Sequence, residues 1–195
     1  MISLSKSQTV SLRKESTALH KLHFGLGWDP VKTDRKGFFK ALFSSDDSID
    51  LDASCLLLND IGEKIDGVWS GNLKSADGSV THSGDNLTGD GDGDDEIIYV
   101  DLQKLPTDTE YLVFTVNSFR GQTFNDVENA FCRVLDQTNK ELVRYELSEQ
   151  GNHTGIVIAS LKRNGGSWDF TAQGFPCKGR TINDMYPNIV ASLVR

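Results

Sequence analysis

The chain has 195 residues, 37% hydrophobic and 25% charged, with 28 acidic and 20 basic side chains and a net charge of −8. That length and balance suit one globular domain with a sizeable core, and the acidic excess excludes the basic stripe that nucleic acid would need as a main partner. Three scattered cysteines (Cys55, Cys132, Cys177) show no CxxC spacing, which fits reduced thiols in a cytoplasm better than a disulfide framework. No apolar run approaches a membrane span and the opening residues carry no signal-peptide pattern, so a cytoplasmic location is expected.

Along the chain, short β-type runs alternate with turn chemistry. Thr9 to Leu12 begins a strand, and Leu22, Phe24 and Leu26 alternate along the next, which should stop at Pro30 for want of a backbone donor. Residues 31–48 read as an inserted loop, with Lys32, Arg35, Lys36 and Lys40 beside Phe38, Phe39, Leu42 and Phe43. Such a segment either folds its aromatics over the sandwich or contacts a membrane surface or a partner. Ile49 to Leu58 alternates, with Ile49, Leu51, Ala53 and Cys55 on one face and Asp50, Asp52 and Ser54 on the other. Further strands are predicted at Ile65–Trp69, Ile97–Leu102, Tyr111–Asn117, Ala130–Leu135, Glu141–Leu147, Gly155–Lys162 and Ser167–Ala172. Asn164-Gly165-Gly166, Thr138-Asn139-Lys140 and Asp60-Ile61-Gly62 are hairpin signals. About ten short strands at this spacing predict an all-β, antiparallel two-sheet sandwich in a single domain. A C-terminal helix is predicted over 183–194, capped by Asn183 and limited at its start by Pro187.

The most informative stretch runs from Asp85 to Glu96 and on to Asp101. It holds seven acids (Asp85, Asp90, Asp92, Asp94, Asp95, Glu96, Asp101) and no Lys or Arg. Outside it, acids and bases nearly balance, so the net charge is a local feature. Crowded carboxylates repel and raise one another's pKa unless a cation neutralises them. Alternating glycines allow turns that aim several oxygens at one point, a pattern that suits Ca²⁺ better than Mg²⁺. The competing reading is a solvated acidic loop. An EF-hand is excluded, because Asp95 stands where the invariant glycine belongs and a strand follows. A repeating calcium β-helix motif is excluded because the stretch occurs once. What remains is a loop-built site at one end of the sandwich. Asp29 at a strand terminus, and Asp50 and Asp52 at i and i+2 on one strand face, are candidates to complete it.

Gly25-Leu26-Gly27-Trp28-Asp29, Asp50-Leu51-Asp52-Ala53-Ser54, and His82-Ser83-Gly84-Asp85-Asn86-Leu87-Thr88-Gly89 through Glu96 together resemble the TerD family of bacterial tellurium-resistance and general stress proteins. Phe119-Arg120-Gly121-Gln122-Thr123-Phe124 extends the likeness, which covers nearly the whole chain. The insertion after Asp29 and the ending Pro176-Cys177-Lys178-Gly179-Arg180 look most like the TerZ-type branch of that family. The resemblance implies calcium-binding loops at one end of the sandwich, with two Ca²⁺ ions. It places ligands among Asp29, Asp50, Asp52, Asp85, Asn86, Asp90, Asp92, Asp94, Asp95 and Glu96, with carbonyls near Leu87 and Gly89. The implied partners are other proteins of the tellurium-resistance and stress system, at or near the inner membrane surface.

Two other chemistries are open to the same residues. A metal-dependent hydrolase would need a base beside the acids, and His82 is the one candidate; a structural imidazole at a strand end is the simpler reading. Cys177, flanked by Lys178 and Arg180, could favour a reactive thiolate. The leading expectation is a non-enzymatic, calcium-ordered interaction module. The alternative is a Ca²⁺-dependent membrane-docking module that uses the stretch from Lys36 to Phe43.

Overall fold

The computed structural model describes residues 2–13, 19–30, 50–85, 93–147 and 150–193. The insertion at 31–48, the start of the fourth strand at Ile49 and the loop core 86–92 lie outside the described residues. Two six-stranded sheets face each other. The first holds β1 (Ile2–Leu4), β3 (Lys21–Pro30), β6 (Val80–His82), β7 (Glu96–Asp101), β9 (Val127–Asp136) and β10 (Glu141–Glu146) in the order β1-β10-β9-β3-β7-β6. The second holds β2 (Thr9–Ser11), β4 (Leu51–Leu58), β5 (Lys64–Val68), β8 (Tyr111–Ser118), β11 (Gly155–Asn164) and β12 (Ser167–Cys177) in the order β2-β12-β11-β8-β4-β5.

All pairings within the sheets are antiparallel except one: β1 runs parallel to β10, with Ser3 opposite Arg144. The inward faces interdigitate as apolar layers. At their centre Phe24 of β3 and Phe114 of β8 stack across the sandwich, with 4.1 Å between centroids and 7° between planes. The predicted turns are present with the geometry their residues favour. Gly165 (φ 53°) and Gly166 (φ 83°) join β11 to β12 with both residues left-handed. Asn139 (φ 63°) turns β9 into β10, braced by the Asp136 carboxylate, which accepts from the Thr138 and Lys140 amides.

Three expectations are corrected. The short strands β1 and β6 carry too few residues to show alternation, and the sequence pattern passes over both. The alternation along β4 does not leave one face wet, since every residue from Leu51 to Leu58 is buried. The reason is helix α1 (Ile182–Leu193), which lies on the outer face of the second sheet. Its Ile182, Met185 and Ile189 cover Leu56, Leu58, Val113, Val157 and Cys177. The helix also begins earlier than predicted and with a different cap. Thr181 Oγ1 accepts from the Asp184 amide, and Asp184 returns the contact to the Thr181 amide at 3.1 Å, while Asn183 sits inside the first turn. Pro187 lies within the helix.

Covering β12 with this helix also removes the reactive-thiol reading. Cys177 is buried beneath α1, and burial pushes its thiol up to about 11 despite the basic neighbours in sequence. Cys55 and Cys132 are buried and are likewise held well above the ordinary thiol range by burial.

Removing half of the central stack should be costly. Phe114→Ala is expected to lower the unfolding free energy by about 3–5 kcal/mol, measured by urea denaturation. Ile61→Ala, in a turn where the side chain is 71% exposed, should change it by less than about 0.5 kcal/mol.

Candidate metal centre

The site forms where β4, β7 and the end of β6 meet at one end of the sandwich. Glu96 opens β7 in the first sheet and is fully buried. Its Oε2 accepts from the Ala53 amide of β4, in the second sheet, at 2.7 Å. His82, closing β6, brings Nε2 to 3.1 Å from the Ala53 carbonyl and 3.3 Å from Glu96 Oε2. One carboxylate therefore ties the two sheets together, and the imidazole braces it.

Around that carboxylate the structure gathers Asp52 and Asp85. One oxygen from each of Asp52, Asp85 and Glu96 lies within 4.8 Å of the others. Asp52 is buried; its Oδ1 accepts from Ser70 Oγ at 2.7 Å, while Oδ2 is buried with no hydrogen-bond partner among the described residues. Asp50, two residues earlier, is also buried, with Oδ2 3.4 Å from Arg120 Nε and Oδ1 without a hydrogen-bond partner among the described residues. The i, i+2 spacing of the two aspartates does place both at this end of the sandwich, as their shared strand face predicts.

The electrostatics follow from burial. Loss of solvent, followed by repulsion from Glu96, Asp50 and Asp85, raises the Asp52 carboxyl to about 6 against the opposing Ser70 hydrogen bond. Burial and the nearby Asp85 raise Asp50 as well, against the pull of Arg120. For His82, burial alone pulls the imidazole down. The hydrogen bond and charge of Glu96, with the Ala53 carbonyl and Asp52, outweigh it and leave the group above its ordinary value. Its Nδ1 meanwhile accepts from the Gly84 amide at 3.0 Å, so protonation there requires that contact to break. Both ring nitrogens are engaged inside the protein, as a structural imidazole requires.

The remaining predicted acids divide in two. Asn86, Leu87, Gly89, Asp90 and Asp92 lie outside the described residues. Asp29 is near the end of β3, and Asp94 and Asp95 lie beside that strand. Asp94 is gripped by the Arg133 fork, with Nε to Oδ1 at 2.8 Å and Nη2 to Oδ2 at 3.0 Å. Arg133 also reaches Glu141 at 3.3 Å, and Glu141 binds Arg144 in turn. Asp95 Oδ2 accepts from the Trp28 amide at 2.9 Å and its own amide donates to the Leu26 carbonyl. Asp29 accepts from Asn129 Nδ2 at 2.8 Å. Burial, followed by Asp29, Asp94 and Glu96, raises the Asp95 carboxyl, with the Trp28 amide opposing.

Two glycines make this approach possible. A Cβ on Gly25 would fall 2.3 Å from the Asp94 carboxylate, and one on Gly27 would fall 2.5 Å from the Gly93 carbonyl. Residue-type reasoning misses the supporting polar groups, namely Ser70, Arg120, Asn129 and Arg133. Arg120 stands in a stretch that resembles the TerD family, but nothing local links it to Asp50.

The donor set fits a hard divalent cation. It offers one carboxylate oxygen from each of three residues close together, a buried Asp52 oxygen with no hydrogen-bond partner among the described residues, and a raised Asp52 pKa of the kind a cation would relieve. Metal-free protein should reveal the strain directly. With its folded value raised to about 6 from an ordinary 3.8, Asp52 binds a proton more readily folded than unfolded, so it costs stability as pH rises through that window. Asp52→Asn should therefore be more stable than the parent at pH 7.5, by roughly 1–2 kcal/mol, with the difference vanishing near pH 4. Denaturation at the two pH values in chelator checks this.

The comparisons agree with the fold. A profile described as the TerD domain matches residues 1–186. The chain is 65% identical over 195 residues to tellurium resistance protein TerZ of Serratia marcescens, covering 100% of both chains. It is 42% identical over 197 residues to stress response protein SCP2 of Bacillus subtilis, covering 97% of this chain and 99% of that one. A solved structure of a homologue of telluride resistance protein (TerD) from Streptomyces coelicolor superposes with a TM-score of 0.67 at 21% identity, over 87% of this chain and 96% of that one, and shows the fold alone. With a TerD profile spanning almost its full length and a relative matched end to end, this chain belongs to the TerD domain family.

Proposed function

We propose that the protein is a non-enzymatic, calcium-ordered interaction module of a bacterial tellurium-resistance and general stress system. The observation that carries the reading is the convergence of Asp52, Asp85 and Glu96 from three separate segments, with a buried Asp52 oxygen left without a partner. In this proposal Asp52, Asp85 and Glu96 hold one Ca²⁺, with Asp50 adjoining. Asp29 and Asp95 contribute to a second, together with residues of the 86–92 segment. The cation supplies the countercharge that buried carboxylates lack, and so couples the acidic segment to both sheets.

The family's resistance and stress relatives support the setting. The engagement of both His82 nitrogens disfavours the hydrolase alternative. Partners would be other proteins of the same system, in the cytoplasm or at the inner membrane surface. No described helix is long and apolar enough to cross a membrane.

Calorimetric titration tests the proposal. Ca²⁺ should bind and raise the melting temperature more than Mg²⁺ does, and Asp52→Asn should weaken Ca²⁺ by at least about tenfold. Because Asp52 titrates near 6 without metal, Ca²⁺ should release protons at pH 6, seen as a heat that depends on the buffer, and release almost none at pH 8. Absence of both Ca²⁺ heat and thermal shift would sink the reading.

A further inference from the structure

A cleft of about 380 Å³ opens beside the carboxylate trio, within the size range of small-molecule sites. Asp50, Asp52 and Asp85 line it together with Trp69, Phe119 and Arg180. Two of these lining residues each have a buried carboxylate oxygen, Asp50 Oδ1 and Asp52 Oδ2, with no hydrogen-bond partner among the described residues. Arg180 is also only partly used. Its Nε and Nη2 donate to the Phe119 carbonyl at 2.9 and 2.8 Å, its guanidinium sits 5.8 Å from the Phe119 ring centre, and among the described residues Nη1 has no partner and no ion pair forms.

These groups make chemical sense as one site only when the carboxylates hold a cation. Alone, three acids against one arginine repel an anion. Ca²⁺ takes six to eight oxygens, and the trio brings together one oxygen from each of three carboxylates, so coordination positions remain for a ligand on the cleft side. The loaded cleft then has two positive poles, the cation and Arg180, between aromatic surfaces. We propose that it binds a phosphomonoester carried on an apolar body. The phosphate's terminal oxygens would meet the cation and the Arg180 fork, and Trp69 and Phe119 would cover the body. This inference rests on the cation reading of the trio given above.

The test uses the full chain in saturating Ca²⁺ with phenyl phosphate as probe, followed by calorimetry and tryptophan fluorescence; Trp28 and Trp168 are buried, whereas Trp69 is partly exposed. Binding is expected. It should weaken by about tenfold or more in Arg180→Gln and on chelation of Ca²⁺, and should also weaken in Phe119→Ala, a substitution at a side chain 54% exposed. The Ca²⁺ affinity of Arg180→Gln should stay unchanged. Vesicles containing phosphatidic acid form a second arm: vesicle binding that phenyl phosphate competes away puts the phosphate on a lipid, and binding of phenyl phosphate alone puts it on a free metabolite. Ca²⁺ binding without binding of either probe overturns this proposal alone, as does probe binding that ignores Ca²⁺ or Arg180. Failure of Ca²⁺ itself to bind overturns the underlying cation reading instead.

Discussion

The structure turns on one buried carboxylate. Glu96 stands at the start of a strand in the first sheet, yet accepts its 2.7 Å hydrogen bond from an amide of the second. A buried charge is costly unless it is paired and hydrogen-bonded. The Ala53 amide and the His82 imidazole meet part of that need, but Asp52 and Asp85 add negative charge at the same point. The end of the sandwich is thus built around a deficit of positive charge. Burial first, and the neighbouring acids after it, raise the Asp50 and Asp52 carboxyls, and one oxygen of each lacks a hydrogen-bond partner among the described residues.

The acids of this region do two kinds of work despite their identical chemistry. Asp94 and Asp95 anchor the segment, one through the Arg133 fork and one through the Trp28 amide, over a strand whose Gly25 and Gly27 leave room for them. Asp52, Asp85 and Glu96 instead converge on one another. The difference lies in the partner each position meets. Asp94 finds a guanidinium supplied by β9, and bidentate pairing of that kind fixes orientation as well as charge. Anchoring at 94 and 95 fixes the segment that leads into Glu96, so the arginine network at Arg133, Glu141 and Arg144 supports the candidate metal centre without touching it.

Burial also accounts for what the other conspicuous residues became. Basic neighbours in sequence suggest a reactive Cys177, but α1 closes over it and desolvation outweighs them. A histidine beside acids suggests a general base, but each His82 nitrogen faces a group inside the protein. In both cases chain neighbours are a poor guide, because the environment is supplied by elements distant in sequence.

The residue pattern by itself determined the two-sheet antiparallel plan, the left-handed turns at Asn139 and Gly165-Gly166, the acidic segment, and the pairing of Asp50 with Asp52. All of these are governed by local physics: side-chain alternation, backbone freedom and charge density. Only the tertiary structure decided the rest. The parallel pairing of β1, the double burial of β4 and the capping of α1 by Thr181 and Asp184 depend on which surfaces meet. So does the sorting of the acids, since Glu96 reaches Ala53 across 43 residues and Arg133 reaches Asp94 across 39. Alternation tells which side of a strand a residue occupies, not which distant strand lies opposite. A cluster of carboxylates therefore marks a candidate cation site, and only packing selects the three that converge.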